Sequence, residues 1–429
     1  MKLFMLTGSA LAILLSQTVR AEPLARISHR PFTAAAQWHA LTGVRSVGML
    51  DVVSATPARP SVANVSHAAP LNYLATNAGE KSWLGLPPVP IPANNPQTPE
   101  KIELGDRLFH DARLSADGKV SCSTCHDAKK AFTDHKPVST GFRNLNGTRN
   151  APTVLNSAYM KTLFWDGREP DLEGQSMQPP INPVEGGLAD HQPLLAVIRA
   201  DETYPTAFKK VFGVSTQDIR MEQVAKAIAS FERTLVSGDS PFDRWRYGGQ
   251  TYALSKAQQR GFKVFVGNGR CVSCHRIEQT QALFMDNRFH NIGIGFKKIR
   301  GREFTVAEAF IKAKHAGADV DKTVLMEKDA SELGRFAVTE GLNEVGTFKT
   351  PTLRNIALTQ PYMHDGSLKT LADTVEFYNN GGRLKEDDPV SPFLSGGIRP
   401  LNLSDQEKQD LVEFLRSLSS PEIAKATGE

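Results

Sequence analysis

The pentapeptide Cys-x-x-Cys-His occurs twice in this 429-residue chain, as Cys122-Ser123-Thr124-Cys125-His126 and as Cys271-Val272-Ser273-Cys274-His275. It is the attachment signature of a c-type haem, in which the two thiols bond to the porphyrin and the adjacent imidazole becomes the proximal iron ligand. These are the only four cysteines of the chain, so none is left for a structural disulfide. A thioredoxin-like pair needs no trailing histidine, and a zinc site would need the four thiols gathered at one point. The expectation is a chain folded around two covalently held haems, with His126 and His275 as proximal ligands.

The first residues suit export. Lys2 supplies a short positive start, Phe4 to Leu15 is an apolar run of signal-peptide length, and Val19-Arg20-Ala21 offers a small-residue cleavage site with an unusual central arginine. Gly8 and Ser9 interrupt the run, which is short for a membrane span; left uncleaved, it would act as an anchor. Covalent haem attachment in bacteria takes place outside the cytoplasm, so the expected location is the periplasm. Loss of residues 1–21 lowers the formal charge from +4 to +2, and four haem propionates bring it below zero. Nothing in this balance suits nucleic acid.

After the leader (1–21), residues 22–83 form an extension rich in Ala, Ser, Pro and Val without clear patterning. Leu86-Pro87-Pro88-Val89-Pro90-Ile91-Pro92 is a stiff linker that cannot be helical. Thr98-Pro99-Glu100 opens a helix carrying Gly105, Leu108 and Phe109 ahead of the first haem motif. Leu254-Ser255 opens another, carrying Gly261, Phe262 and Phe265 ahead of the second, so the chain reads as a faint duplication. Met221 to Leu235 has helical apolar spacing, and Ser404 with Glu407 forms a capping box before Leu411, Phe414 and Leu415. No segment alternates as a strand does. The fold class is therefore mostly α, two cytochrome c-like haem domains (84–245 and 246–429) with long loops and an N-terminal extension.

From about residue 84 to 418 the chain resembles the bacterial dihaem cytochrome c peroxidase and MauG superfamily. The resemblance is carried by Arg149-Asn150-Ala151-Pro152-Thr153, Phe164-Trp165-Asp166-Gly167-Arg168, Asn182-Pro183-Val184-Glu185, Gly334-Arg335-Phe336-Ala337-Val338, Pro351-Thr352-Leu353-Arg354-Asn355 and Pro361-Tyr362-Met363-His364-Asp365-Gly366, in the family's order around the two haem motifs. Residues 1–80 and an insertion around 296–330 fall outside it.

The resemblance implies a peroxidatic first domain and an electron-transfer second domain. Cleaving hydrogen peroxide needs a vacant iron position and a group that moves a proton between the two oxygens. The family's carboxylate for that step matches Glu185, with Gln175 and Pro179 lining the distal pocket; alone, Glu185 would read as a surface acid and Gln175 as a structural hydrogen bonder. Many family peroxidases cap this haem with a histidine sixteen residues after the proximal one. Here that position is Phe142, which cannot ligate iron, so the first haem is expected to be open. His135, on the same loop, is the rival cap.

At the second haem, the peroxidases place a methionine ligand fourteen residues beyond the His of Pro-Tyr-x-His, and MauG a tyrosine. Here the position is Tyr378, with Met363, Met285 and His290 as weaker alternatives. A phenolate would favour ferric and higher states. Trp165 matches the tryptophan between the haems, and Asn150, Thr359 and Pro361 match the positions that hold one Ca²⁺. The implied partners are hydrogen peroxide and either an electron donor (a cytochrome c or cupredoxin) or a protein substrate such as a tryptophan-bearing client. Three functions compete: a MauG-like oxidoreductase, a conventional peroxidase, and a non-catalytic dihaem electron carrier.

Overall fold

The computed structural model describes residues 82–385 and 387–428. The expected leader lies outside these residues, as does the extension up to residue 81; Trp83 packs with Tyr159 and Val236. The helices that matter for the sites are α1 (Pro99–His110), α2 (Leu172–Met177), α3 (Met221–Glu232), α4 (Lys256–Val266), α5 (Glu303–His315), α6 (Val320–Met326), α7 (Leu371–Asn379) and α8 (Asp405–Arg416). The described residues pair as strands only in a two-residue antiparallel ladder, Phe289–His290 with Phe348–Lys349. None of their helices is long and apolar enough to cross a membrane.

The helix starts follow local chemistry. Thr98 caps α1 by accepting from the Lys101 N–H, with Pro99 at the first turn. Ser255 with Gln258 and Ser404 with Glu407 form reciprocal capping boxes at α4 and α8. Helix α3 stops at Glu232, short of Leu235, because the chain tightens there. The Thr234 and Leu235 N–H groups bond the Phe231 and Glu232 carbonyls, three residues back.

One helix crossing is built twice. In the first half α1 crosses α3 at Gly105, where a Cβ would lie 1.9 Å from the Ala227 carbonyl oxygen. In the second half α4 crosses α8 at Gly261, where a Cβ would lie 1.9 Å from the Asp410 carbonyl oxygen. An apolar cluster surrounds each crossing, one holding Leu104, Leu108, Phe109, Val224 and Ile228, the other Phe265, Leu411, Phe414 and Leu415. The duplication that was faint in sequence is thus a repeated backbone contact.

The 296–330 insertion folds into α5 and α6 with a short turn, Phe296–Ile299, ahead of them. It forms a third apolar cluster in which Ala307, Phe310, Val324 and Leu325 pack with Val184 of the first half.

Because the α4–α8 approach is backbone against backbone, Gly261→Ala cannot be relieved by a side-chain shift. It is expected to lower the stability of the haem-loaded protein by about 1–3 kcal/mol, read as a lower denaturation midpoint in urea. An unchanged midpoint would mean that the helices do not meet at this glycine.

Candidate active site

Each haem motif is a single helical turn, Cys122–Cys125 and Cys271–Ser273, delivered by α1 and α4 respectively. His126 Nδ1 lies 3.2 Å from the Phe132 carbonyl oxygen, and His275 Nδ1 lies 2.8 Å from that of Phe284. A carbonyl only accepts, so the Nδ1 carries the proton and the Nε2 lone pair is left to bind iron. Burial holds both imidazoles below their usual pKa, in the neutral form that ligates. Phe132 and Phe284 both have left-handed backbone, φ 59° and 52°, a conformation that is costly for a bulky residue and is tolerated where its surroundings impose it.

Two cavities of near-equal volume, about 210 and 230 Å³, open beside these turns. Cys122, Cys125 and His126 line the first; Cys271, Cys274 and His275 line the second. A predominantly apolar cavity with two thiols and one neutral imidazole on its wall fits a c-type haem in each case.

The first cavity gathers Gln175 from α2, Pro179 from the turn after it, and Glu185. The Glu185 N–H donates to the Asn182 carbonyl, and its Oε2 is buried without a hydrogen-bond partner. Burial pushes its carboxyl up to about 8, the Asp321 carboxylate adds to the rise, and the Arg168 guanidinium opposes it. Phe142 stands behind the wall rather than on it. Its N–H donates to the Glu185 carbonyl, and its ring lies where a Cβ on Gly187 would need to go, so Gly141 lines the cavity in its place. His135 does not line the cavity either; its Nε2 bonds the Leu358 carbonyl at 3.0 Å.

The second cavity gathers Tyr378 from α7 together with Met363 and His290. The Tyr378 hydroxyl makes no hydrogen bond to a described residue, and burial holds the phenol well above its usual pKa. His290 Nε2 is held by Asp286 at 2.8 Å. Met285 is elsewhere, packed with Tyr159 and Val236. Trp165 and Asn150 line both cavities, and the indole N–H donates to the Asn150 carbonyl at 2.9 Å, which fixes the ring plane. Asn150, Thr359 and Pro361 share the second cavity's wall. The Asn150 amide nitrogen donates to the Lys136 carbonyl, which leaves its Oδ1 free to accept.

The sequence matches known proteins over the same span. The Di-haem cytochrome c peroxidase family signature covers residues 99–251, and a cytochrome c signature covers 258–419. A cytochrome-c peroxidase, IdrP1, of Denitromonas iodatirespirans is 36% identical over 79% of this chain and 86% of its own. The methylamine utilization protein MauG of Methylorubrum extorquens is 35% identical over 78% of this chain and 83% of its own. The chain belongs to the dihaem cytochrome c peroxidase and MauG family. Its fold is matched by the solved structure of a MauG-like protein associated with microbial copper homeostasis, at a TM-score of 0.65 and 34% identity, over 79% of this chain and 95% of that one. It is therefore an oxidoreductase carrying two c-type haems.

This dihaem peroxidase relative also has site residues that patterning did not single out. Lys349 lines both cavities, and burial lowers its ammonium to about 7. Its Nζ donates to the Thr162 carbonyl at 2.6 Å and meets the Met160 sulfur at 3.2 Å. Such a cation suits an anionic cofactor edge, and its place after Phe348 in the short ladder was the only local clue. Asp321 comes from the insertion that was set aside.

Glu185 titrates near 4.5 when unfolded and near 8 in the fold. Between those values the folded state holds the extra proton, so this group's contribution falls as pH rises through that window. Glu185→Gln is expected to gain stability relative to wild type between about pH 4.5 and about 8, and no further above it. Thermal midpoints of the two proteins across that range check this; parallel curves would show Glu185 to be ionised throughout.

Proposed function

We propose that the protein is a MauG-like oxidoreductase of the periplasm, in which hydrogen peroxide reacts in the first haem cavity and a donor is oxidised at long range by way of the second. The observation that carries this reading is Tyr378, a half-buried phenol on the second cavity's wall with its hydroxyl unbonded among the described residues, at the position where the resemblance would have it hold the second haem. When bound, the haems supply an iron that splits the peroxide O–O bond and a second iron that shares the oxidising equivalents.

The chain's own residues do the rest. Glu185 takes the proton from one peroxide oxygen and returns it to the leaving one, a task suited to a carboxyl poised near 8. Gln175, on the same wall, orients the peroxide. Phe142 and His135 do not line the first cavity, so neither would compete with peroxide for a haem held there, and no prior reduction would be needed. Trp165, bordering both cavities, carries charge between them. The Asn150 Oδ1 with the Thr359 and Pro361 carbonyls holds one Ca²⁺, a hard cation that prefers such neutral oxygens alongside water. In this reading residues 84–245 are the peroxidatic domain, 246–429 the electron-transfer domain, and 1–21 an export leader. The donor is a small redox protein or a protein side chain such as a tryptophan.

The conventional peroxidase shares Glu185 and differs at the second haem. Low-temperature EPR of the ferric protein separates the two readings. One high-spin and one low-spin haem are expected, with both signals lost on one equivalent of peroxide without reductant. Tyr378→Phe is expected to convert the low-spin haem to high-spin; an unaltered low-spin signal would remove Tyr378 as ligand and favour the conventional enzyme. Glu185→Gln is expected to slow the peroxide reaction by about 10²–10⁴-fold, and an unchanged rate would leave only an electron carrier.

A further inference from the structure

The insertion around 296–330 carries no motif, yet the fold lays it against the turn that presents Glu185. Val184, the residue before Glu185, is buried among Ala307, Phe310, Val324 and Leu325 of the insertion, and Leu325 reaches the first cavity's wall. The Thr148 hydroxyl donates to the Val324 carbonyl at 2.7 Å.

Asp321, on α6, is 7% exposed and lies at the centre of this contact. Its Oδ1 accepts from Arg168 Nε at 2.8 Å and Nη2 at 2.6 Å. Its Oδ2 accepts from Asn182 Nδ2 at 2.5 Å. Asn182 is fully buried; its Oδ1 takes the Val184 N–H at 3.1 Å and its carbonyl takes the Glu185 N–H at 3.1 Å. The other end of the Arg168 fork is held by Asp166, and the guanidinium lies 3.5 Å over the Phe164 ring, next to Trp165. One carboxylate from the second half thus grips both the turn that carries the distal acid and the arginine that faces it.

We infer that Asp321 is a positioning residue of the first haem site, supplied by the 296–330 insertion, which holds the Asn182–Glu185 turn and the Arg168 guanidinium in their working places. The inference rests on the reading of Glu185 as the distal proton carrier. Its consequence is electrostatic as well as mechanical. The charges facing Glu185 are those of Asp321 and Arg168, with Asp166 and Arg149 behind Arg168; the nearby Cys125 sulfur is an uncharged thioether once haem is attached. The Asp321 carboxylate raises the Glu185 carboxyl while the Arg168 guanidinium lowers it. Without the Asp321 charge, the same guanidinium draws the Glu185 proton off at lower pH.

The test uses the haem-loaded protein and follows the infrared band of the protonated Glu185 carboxyl across a pH titration, the band being assigned by its loss in Glu185→Gln. Asp321→Asn is expected to lower the titration midpoint by about one pH unit or more, and Asp321→Glu to return it towards wild type. A folded Asp321→Asn protein with an unmoved midpoint would overturn the inference. Should Asp321→Asn fail to fold, hydrogen exchange on the wild-type protein decides: peptides 182–187 and 319–326 are expected to open as one unit, and opening of 319–326 alone would equally overturn it. Loss of peroxide reactivity in Glu185→Gln beside an unmoved Asp321→Asn midpoint would sink this inference while sparing the distal-acid reading. Retained reactivity in Glu185→Gln would sink that reading first.

Discussion

Two hydrogen bonds, from His126 Nδ1 to the Phe132 carbonyl and from His275 Nδ1 to the Phe284 carbonyl, organise the chain around them. An imidazole that ligates iron must present one nitrogen unprotonated and at a fixed angle, which requires the other to be tied to an acceptor that cannot move. A backbone carbonyl is such an acceptor only if its peptide is turned inward. In both halves that turning is done by a phenylalanine in left-handed backbone, at an order of 1–3 kcal/mol each. The burial of Phe132 and Phe284 in the two main apolar clusters offsets that strain. The clusters in turn depend on the glycine crossings that let α1 meet α3 and α4 meet α8.

The same frame then serves two chemistries. After each haem turn the chain makes an Asn in left-handed backbone (Asn156, Asn355), a short bridge (Leu163 with Glu169, Tyr362 with Leu368), and a helix capped by a polar side chain, Asp171 for α2 and Thr370 for α7. Helix α2 brings Gln175 to the first cavity, and α7 brings Tyr378 to the second. A duplicated scaffold with unlike side chains at its rim leaves a carboxyl and an amide on one side and a phenol on the other.

Beside the first cavity runs a buried charge network. Asp166 lies between Arg149, at 3.9 Å, and Arg168, at 2.9 Å, and Arg168 continues to Asp321. Arg149 also donates to the Ser331 hydroxyl and carbonyl. Buried ion pairs are poor sources of net stability, because desolvation offsets most of the attraction. What they supply is geometry, since removing any member strands a charge. Here every member joins the first half to the insertion or to the turn beside Trp165, so the network sets how the distal wall sits.

How much of this was legible follows from range. The haem turns, the proximal histidines and the starts of α1, α4 and α8 are local: Cys-x-x-Cys-His and a capping box carry their own chemistry within a few residues. The family resemblance extended that to Glu185, Gln175 and Trp165, all of which line the first cavity. Phe142 has no iron-binding atom, and its place behind the wall depends on Gly187, which no local pattern shows. The partner of His135, the Leu358 carbonyl, lies more than two hundred residues away, so no local pattern shows it. Asp321 is the clearest case: in sequence it is one acid among many in an unpatterned insertion. Its meaning comes from Arg168 and Asn182, more than a hundred residues distant, because pairing of buried charges is a property of burial and proximity. The sequence by itself determined that the chain carries two c-type haems, since covalent attachment is written in a contiguous motif. Only the tertiary structure decided which carboxylates are buried beside them, because desolvation and charge pairing exist only once distant segments have met.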